Sequence, residues 1–467
     1  MLLWLLLFEA LASCAVGPDY RKPKQSAPEH YQFDQPSGEA GVPGGDWWTV
    51  FNDRRLDQLV DRVLSSNQDL AVALARFDET RGLLGVTKAD EYPSLLLAPS
   101  YARARTSADV GNPFPHLNTT LYSVPASVAY EVDLWGRVRR SVASAQAQLE
   151  ASRDAVDSLR ISLAAEAASE FLQVRSYDSE IDVLERTVVL RQQSLDLVAG
   201  RFHAGVVNAL DVARARTDLE TTKAELEDTR RRRELVAHGL AVLSDQNAPD
   251  YALTPEPLIS PVPDISAGLP GELLQRRPDV AQSERLLAAA NERIGVARAA
   301  YFPRVVLTAS GGVASRDLSD LFESPSLLWS IGPNIAFPVF DGGRNRGNLQ
   351  AAQARYREAL ASYQKTVLVA FREVQDALSD TAFLKRRQSD LEAALSAARE
   401  SSQVSRSRYD RGLVSYLEVV DSERTELSTE RDAIQNRQQQ FVATISLIKA
   451  LGGGWSPQDL ASSGEGQ

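Results

Sequence analysis

The sequence predicts a mostly α-helical chain of long antiparallel coiled-coil helices, with two β-hairpins and an internal two-fold repeat. Three observations predict it. Residues 137–199 and 348–411 contain neither Gly nor Pro and are rich in Ala, Leu, Glu, Gln and Arg, the composition of uninterrupted helix. Two other stretches alternate apolar and polar residues with period two, which is strand patterning. All of these features occur twice at a nearly constant offset, the signature of a duplicated unit.

The repeat is read directly. Residues 67–100 align without gaps on 277–310, matching Asp69 with Asp279, Gly85-Val86 with Gly295-Val296, Pro93 with Pro303 and Leu97 with Leu307. Further on, Gly136-Arg137 matches Gly343-Arg344, and Arg201-Phe202-x-x-Gly205 matches Arg408-Tyr409-x-x-Gly412. Each long helix would be about 95 Å in length at 1.5 Å per residue. Val174, Tyr177, Ile181, Leu184 and Val188, and in the second copy Val367, Phe371, Val374 and Leu378, follow 3-4 spacing, a coiled-coil seam. A glycine break and a shorter returning helix follow, at 206–244 and 413–451, and another short helix precedes each copy, at 67–91 and 278–301. The two short helices of a copy together match one long helix in length.

The period-two segments fall between short and long helices. Tyr122, Val124, Ala126, Val128, Tyr130 and Val132 point one way and Ser123, Ser127, Glu131 and Asp133 the other; Trp329, Ile331, Pro333, Ile335, Phe337 and Val339 keep the same parity in the second copy. Partner strands are expected near 94–106 and 304–314, with loops at 107–118 and 315–326. Such hairpins are long enough to cross a bilayer, but periodicity alone favours a soluble sheet, and Pro99, Pro125, Pro333 and Pro338 each remove a ladder donor. Four strands cannot close a barrel, so hairpins in a membrane require several copies: two would give eight strands and a filled interior, three would give twelve and a passage.

Composition excludes other classes. A net charge of −11 argues against nucleic acid as a partner. One Cys excludes disulfide frameworks, and His30, His116, His203 and His238 lie far apart with no catalytic or metal-binding motif around them; no enzyme and no metal are expected. The N-terminus joins a short apolar stretch to Leu11-Ala12-Ser13-Cys14, the form of a lipoprotein signal whose cysteine receives diacylglycerol and an N-acyl chain. Glu9 interrupts the stretch and no basic residue precedes it, both departures from that form. The expected divisions are a signal peptide at 1–13, an anchored N-terminal segment at 14–66, repeat 1 at 67–245, a linker at 246–276, repeat 2 at 277–452 and a tail at 453–467.

The chain resembles the TolC-like outer-membrane efflux proteins, in their lipoprotein branch typified by OprM. The resemblance rests on Cys14-Ala15-Val16-Gly17-Pro18-Asp19-Tyr20, Trp47-Trp48-x-x-Phe51-x-Asp53, Arg276-Arg277-Pro278-Asp279-Val280, Tyr301-Phe302-Pro303 and Phe340-Asp341-Gly342-Gly343-Arg344, in that order. It implies an α/β membrane channel: a homotrimer with a twelve-stranded outer-membrane barrel, a twelve-helix periplasmic tunnel, and a belt built from 35–66, 246–276 and 453–467. It also implies a periplasmic adaptor and an inner-membrane pump of the resistance-nodulation-division type as partners, with no cofactor beyond the lipid on Cys14. Ala15 is what the family carries when sent to the outer membrane.

By the same resemblance Asp211, Tyr409, Leu417, Glu418 and Asp421 match constriction residues at the periplasmic end, Leu417 as an apolar ring and the two acids of the second copy as acidic rings. Arg424, one turn after Asp421, is a candidate counter-charge. Gly205-Val206 and Gly412-Leu413 would form the tips that meet the adaptor. The implied function is passive conduction of drugs or other small toxic molecules. The alternatives are an outer channel for protein secretion or metal-ion efflux, or a lipid-anchored coiled-coil scaffold without a pore.

Overall fold

The computed structural model describes residues 15–25, 27–33, 45–105, 107, 118–258, 260–267 and 276–453. The leader, Cys14, His116 and the tail beyond 453 lie outside them. The elements in chain order are α1 (Arg54–Ser66), α2 (Gln68–Ala89), β1 (Ser94–Leu97), β2 (Ser100–Arg105), β3 (Asn118–Val132), α3 (Arg137–His203), α4 (Ala209–Leu243), α5 (Pro278–Ala299), β4 (Arg304–Ser315), β5 (Leu327–Ala336), α6 (Arg344–Asp410) and α7 (Tyr416–Ala450). Contacts divide the chain into two compact units, one of 1–24, 76–153 and 282–364, the other of 25–75, 154–281 and 365–467.

The first unit is organised by an antiparallel sheet in which β1 and β2 both pair with β3, β3 pairs with β4, and β4 pairs with β5. The two hairpins are therefore one sheet. Pro99, lacking an N–H, interrupts the first strand, yet Leu97 faces Ala126 and Ser100 faces Ser123 in one unbroken register; the interruption costs a ladder bond and no slip. Residues directly opposite share a face. The registers Leu95↔Val128, Val128↔Ala309 and Ala309↔Ile331 therefore put the apolar parity of every strand on one side. The other side carries hydroxyls and an ion pair: Ser100 and Ser123 are 2.8 Å apart, as are Ser310 and Ser330, and Arg304 donates to Glu131 at 2.6 Å. β5 ends at Ala336, short of the alternation running to Val339, because Pro338 cannot donate to a ladder.

Where β3 gives way to α3, the Asp133 carboxylate accepts from the backbone N–H groups of Val138 and Arg139 at 3.1 and 2.9 Å, satisfying first-turn donors that a helix leaves open. Glu131 also accepts two bonds from Arg137. The Trp135 ring stacks on Phe302 at 4.6 Å and its indole N–H donates to the Pro303 carbonyl. The N-terminal segment is fastened here: Val16 N–H donates to Trp135 O, Arg140 and Asn291 donate to Pro18 O, and Tyr20 donates to Glu284 at 2.8 Å. Gly17 passes so close to Gly295 that a Cβ on Gly17 would lie 2.7 Å from the Gly295 Cα.

In the second unit the predicted seams are buried. Val174, Leu184, Val367 and Val374 are in the core, and Val183 and Leu184 of α3 pack with Leu226 of α4 and Leu427 of α7. The long helices extend past their expected ends, running through Gly200 and Gly347, since one glycine costs a helix only about 1 kcal/mol. A buried charge cluster fastens the linker: Arg175 donates to Thr254 O, Arg233 to Leu253 O and to Asp178, and Asp178 accepts from Glu256 N–H. Trp47 and Trp48 sit edge to face at 5.8 Å, and Phe51 contacts Phe441, a packing role. Arg277 precedes Pro278 at the start of α5, pairs with Asp279 and Glu373, and donates to Ala450 O.

Candidate functional site

The helix reversals α3–α4 and α6–α7 lie together in the second unit and are built alike. Val206 N–H donates to Arg201 O and Gly205 N–H to Phe202 O; Leu413 N–H donates to Arg408 O and Gly412 N–H to Tyr409 O, all at 2.9 Å. This paired pattern closes a helix only when the residue after the cap turns left-handed, which glycine does without strain. Gly205 has φ +71° and Gly412 φ +75°. Asn208 then caps α4 by accepting from Asp211 N–H at 3.1 Å. Val206 and Leu413 are left projecting, 70% and 65% exposed.

Behind the tips the two copies share one small core of Val198, Ala215, Tyr409, Tyr416, Val419 and Val420. Tyr409 is buried, 5.5 Å from the Tyr416 ring, and the Arg201 guanidinium lies 4.4 Å over its face. Arg201 also donates to the carbonyls of Tyr409 and Asp410. One cation of the first repeat thereby caps the C-terminal carbonyls of the second repeat's long helix. Burial pushes the Tyr416 phenol above its ordinary range.

Leu417, Glu418 and Asp421 lie on the exposed part of α7, with Tyr416, Val419 and Val420 turned inward. Asp211, at the corresponding position to Glu418, is half-buried and 3.9 Å from Arg214. In the second copy Asp421 stands where the first has Arg214, so among the described residues Glu418 and Asp421 have no ion-pair partner. Arg424 does not serve as the expected counter-charge to Asp421. Its guanidinium instead pairs with Asp218 of α4, which is 3% exposed and lies at a seam position between Ala215 and Thr222. A buried carboxylate outcompetes an exposed one for a nearby cation because burial removes its water. Arg191 completes the arrangement by donating to Asp218 O at 2.8 Å and to the Thr222 hydroxyl.

Beside Arg424 in sequence, Glu423 is held by Arg406 at 3.0 Å. Burial raises the Glu423 carboxyl above the usual range; the Glu426 and Asp218 charges add to that, while Arg406 and Arg191 oppose it. Asp218, Arg191 and Glu423 were not singled out from sequence, and Arg201 only as part of the repeated motif. An acid spaced with Ala215, Leu219 and Thr222 along a seam was the available signal for Asp218.

Helices that reverse in matched pairs and hairpins that form a sheet with one apolar face fit a subunit of a membrane channel. The chain belongs to the outer membrane efflux protein family, whose model matches residues 59–243 and 269–453, one match in each repeat. It is 34% identical over 455 residues to the outer membrane protein OprJ of Pseudomonas aeruginosa, covering 97% of this chain and 95% of OprJ. It is 33% identical to the toluene efflux pump outer membrane protein TtgI of Pseudomonas putida, over 96% of each. Its fold is similar to that of the outer-membrane channel OprN, with a TM-score of 0.90, 32% identity, and 95% and 100% of the two chains covered. The MtrE outer membrane channel of Neisseria gonorrhoeae gives a TM-score of 0.82 at 29% identity, covering 95% and 99%. The protein is an outer-membrane efflux channel component.

Proposed function

We propose that three copies close their sheets into one twelve-stranded barrel and their helices into a periplasmic tunnel. The tunnel passively conducts drugs or other small toxic molecules delivered by an inner-membrane pump, of the resistance-nodulation-division type, through a periplasmic adaptor. The observation that carries this reading is the sheet: one apolar face, and the β1/β2 and β5 edges left without partners among the described residues. An open edge in hydrocarbon costs several kcal/mol per unpaired group, so neighbouring copies supply the missing strands, and three leave a lumen. Toluene and solvent appear in the names of the relatives TtgI and SrpC, which supports small apolar cargo.

In such a trimer Leu417 forms an apolar ring and Glu418 and Asp421 form acidic rings at the periplasmic end, with Asp211 and Tyr409 beside them. Arg424 acts there through Asp218. Three carboxylates around an axis repel one another, so this closure is weak by design of its charges and opens when the helices part. Gly205-Val206 and Gly412-Leu413 are the adaptor contacts. Cys14 carries the diacylglycerol and N-acyl chains, and Ala15, packed against Gly136 beside the end of β3, brings them to the membrane. Conduction needs no covalent step.

Single-channel recording in a planar bilayer tests the reading, with wild type compared to Leu417→Ala, Asp421→Ala in the same salt. Larger or more frequent steps in the variant are expected. Confirmed insertion of both without conductance would sink it and leave the anchored scaffold.

A further inference from the structure

We propose that Arg103 and Arg105 bind the phosphates of a phosphorylated glycolipid headgroup in the outer leaflet of the membrane. The inference rests on the membrane assignment of the sheet and adds a lipid site to it.

The register places both side chains. Tyr101 faces Tyr122, Arg103 faces Thr120 and Arg105 faces Asn118. Arg103 and Arg105 therefore share the face of Leu95, Leu97, Val124 and Val128, the apolar one. From Val132 to Tyr122 that face runs about 33 Å along the strand, or about 25 Å across a membrane at the usual barrel tilt, the height of a lipid-facing band. Tyr101 and Tyr122 end the band as an aromatic pair 5.0 Å apart, as aromatic girdles do at an interface. Arg103 and Arg105 follow two and four residues later, roughly 5–10 Å further out, at headgroup depth.

Their charges are unspent. At the opposite end of the strands, arginines are matched with carboxylates: Arg137 and Arg304 with Glu131, Arg139 with Asp133, Arg140 with Glu292. Arg103 and Arg105 are exposed, and neither has an ion-pair partner among the described residues. Two planar guanidinium forks one strand pitch apart suit phosphate oxygens, which they grip in pairs. Asn118 and Thr120 stand directly across with further polar groups. A cation pair on the lipid side of a β-sheet, beyond its aromatic rim and short of the loop, meets headgroups before it meets solutes.

The test uses the full-length protein purified in detergent, with native mass spectrometry reading bound lipid. The probes are bisphosphorylated lipid A, the same glycolipid with both phosphates removed, and phosphatidylglycerol. Wild type should prefer the phosphorylated glycolipid by about tenfold over its dephosphorylated form. Arg103→Gln, Arg105→Gln should abolish that preference, while Arg316→Gln, which changes a cation outside this pair, should keep it. The single variants R103Q and R105Q should each weaken it, which preserves the test if the double variant assembles poorly. No preference in wild type, or an unchanged preference in the double variant, would overturn the site; equal capture of phosphatidylglycerol would overturn the glycolipid assignment. Intact bilayer conductance alongside either result shows that the lipid site alone has failed.

Discussion

The Arg424 guanidinium of α7 is ion-paired with the buried carboxylate of Asp218 on α4, so the helix tip of the second repeat is held by the first. Asp218→Asn would leave Arg424 without its anion while keeping the backbone contacts of Arg191. A charge-assisted bond of this kind contributes about 1.5–3 kcal/mol, at the low end here because Arg424 is 58% exposed. The denaturation midpoint of the variant should fall and its channel open more often; a midpoint equal to that of an exposed control such as Arg411→Ala would refute the tie.

The Gly17–Gly295 crossing makes a second claim. A Cβ on Gly295 would lie 2.0 Å from Arg140 Cδ, and Arg140 is the residue that holds Glu292 and Pro18 O. Gly295→Ala should displace Arg140 and free the segment around Gly17, costing on the order of 1–3 kcal/mol as overpacking does. Limited proteolysis near Lys22 should become faster, and unchanged cleavage would count against this fastening.

Glu423 predicts a pH effect. Its carboxyl is raised in the folded state by burial, so the folded state holds that proton more readily than the unfolded one. Stability contributed by this group therefore rises as pH falls from above the raised value toward the ordinary carboxylate value of about 4.3. Glu423→Gln should flatten that part of the profile between neutral and mildly acidic pH. Parallel wild-type and variant profiles would show that another group is responsible.

The two faces of the sheet should respond in opposite ways to one charge. Ile331, 76% exposed, lies on the apolar side and its neighbour Ser330 on the hydroxyl side. Ile331→Arg should cost about 2–4 kcal/mol near the bilayer middle and reduce insertion, whereas Ser330→Arg should insert normally and alter conductance. Equal insertion of both would mean the faces are misassigned.

Helices, hairpins and repeat were legible because periodicity and breaks are local properties of a sequence. Pro99 warned of a gap in the first strand, but not that the register would pass through it unshifted, since register is set by the partner strand. The helix ends were missed by up to four residues where Gly200 and Gly347 were absorbed into long helices whose packing outweighs one glycine. At the candidate gate, Leu417, Glu418 and Asp421 could be placed on one helix surface by resemblance. The role of Arg424 could not, because spacing along one helix offers Asp421 as its neighbour and conceals an acid 206 residues away. Arg201 was visible only as part of a repeated motif; its place over Tyr409 depends on how the copies pack.

Each helix reversal turns on two main-chain hydrogen bonds and one left-handed glycine. The side chains of Val206 and Leu413 take no part in that closure. Duplication therefore produced two outposts whose lettering can be rewritten separately, each able to drift toward a new docking surface while the scaffold beneath it pays nothing for the change.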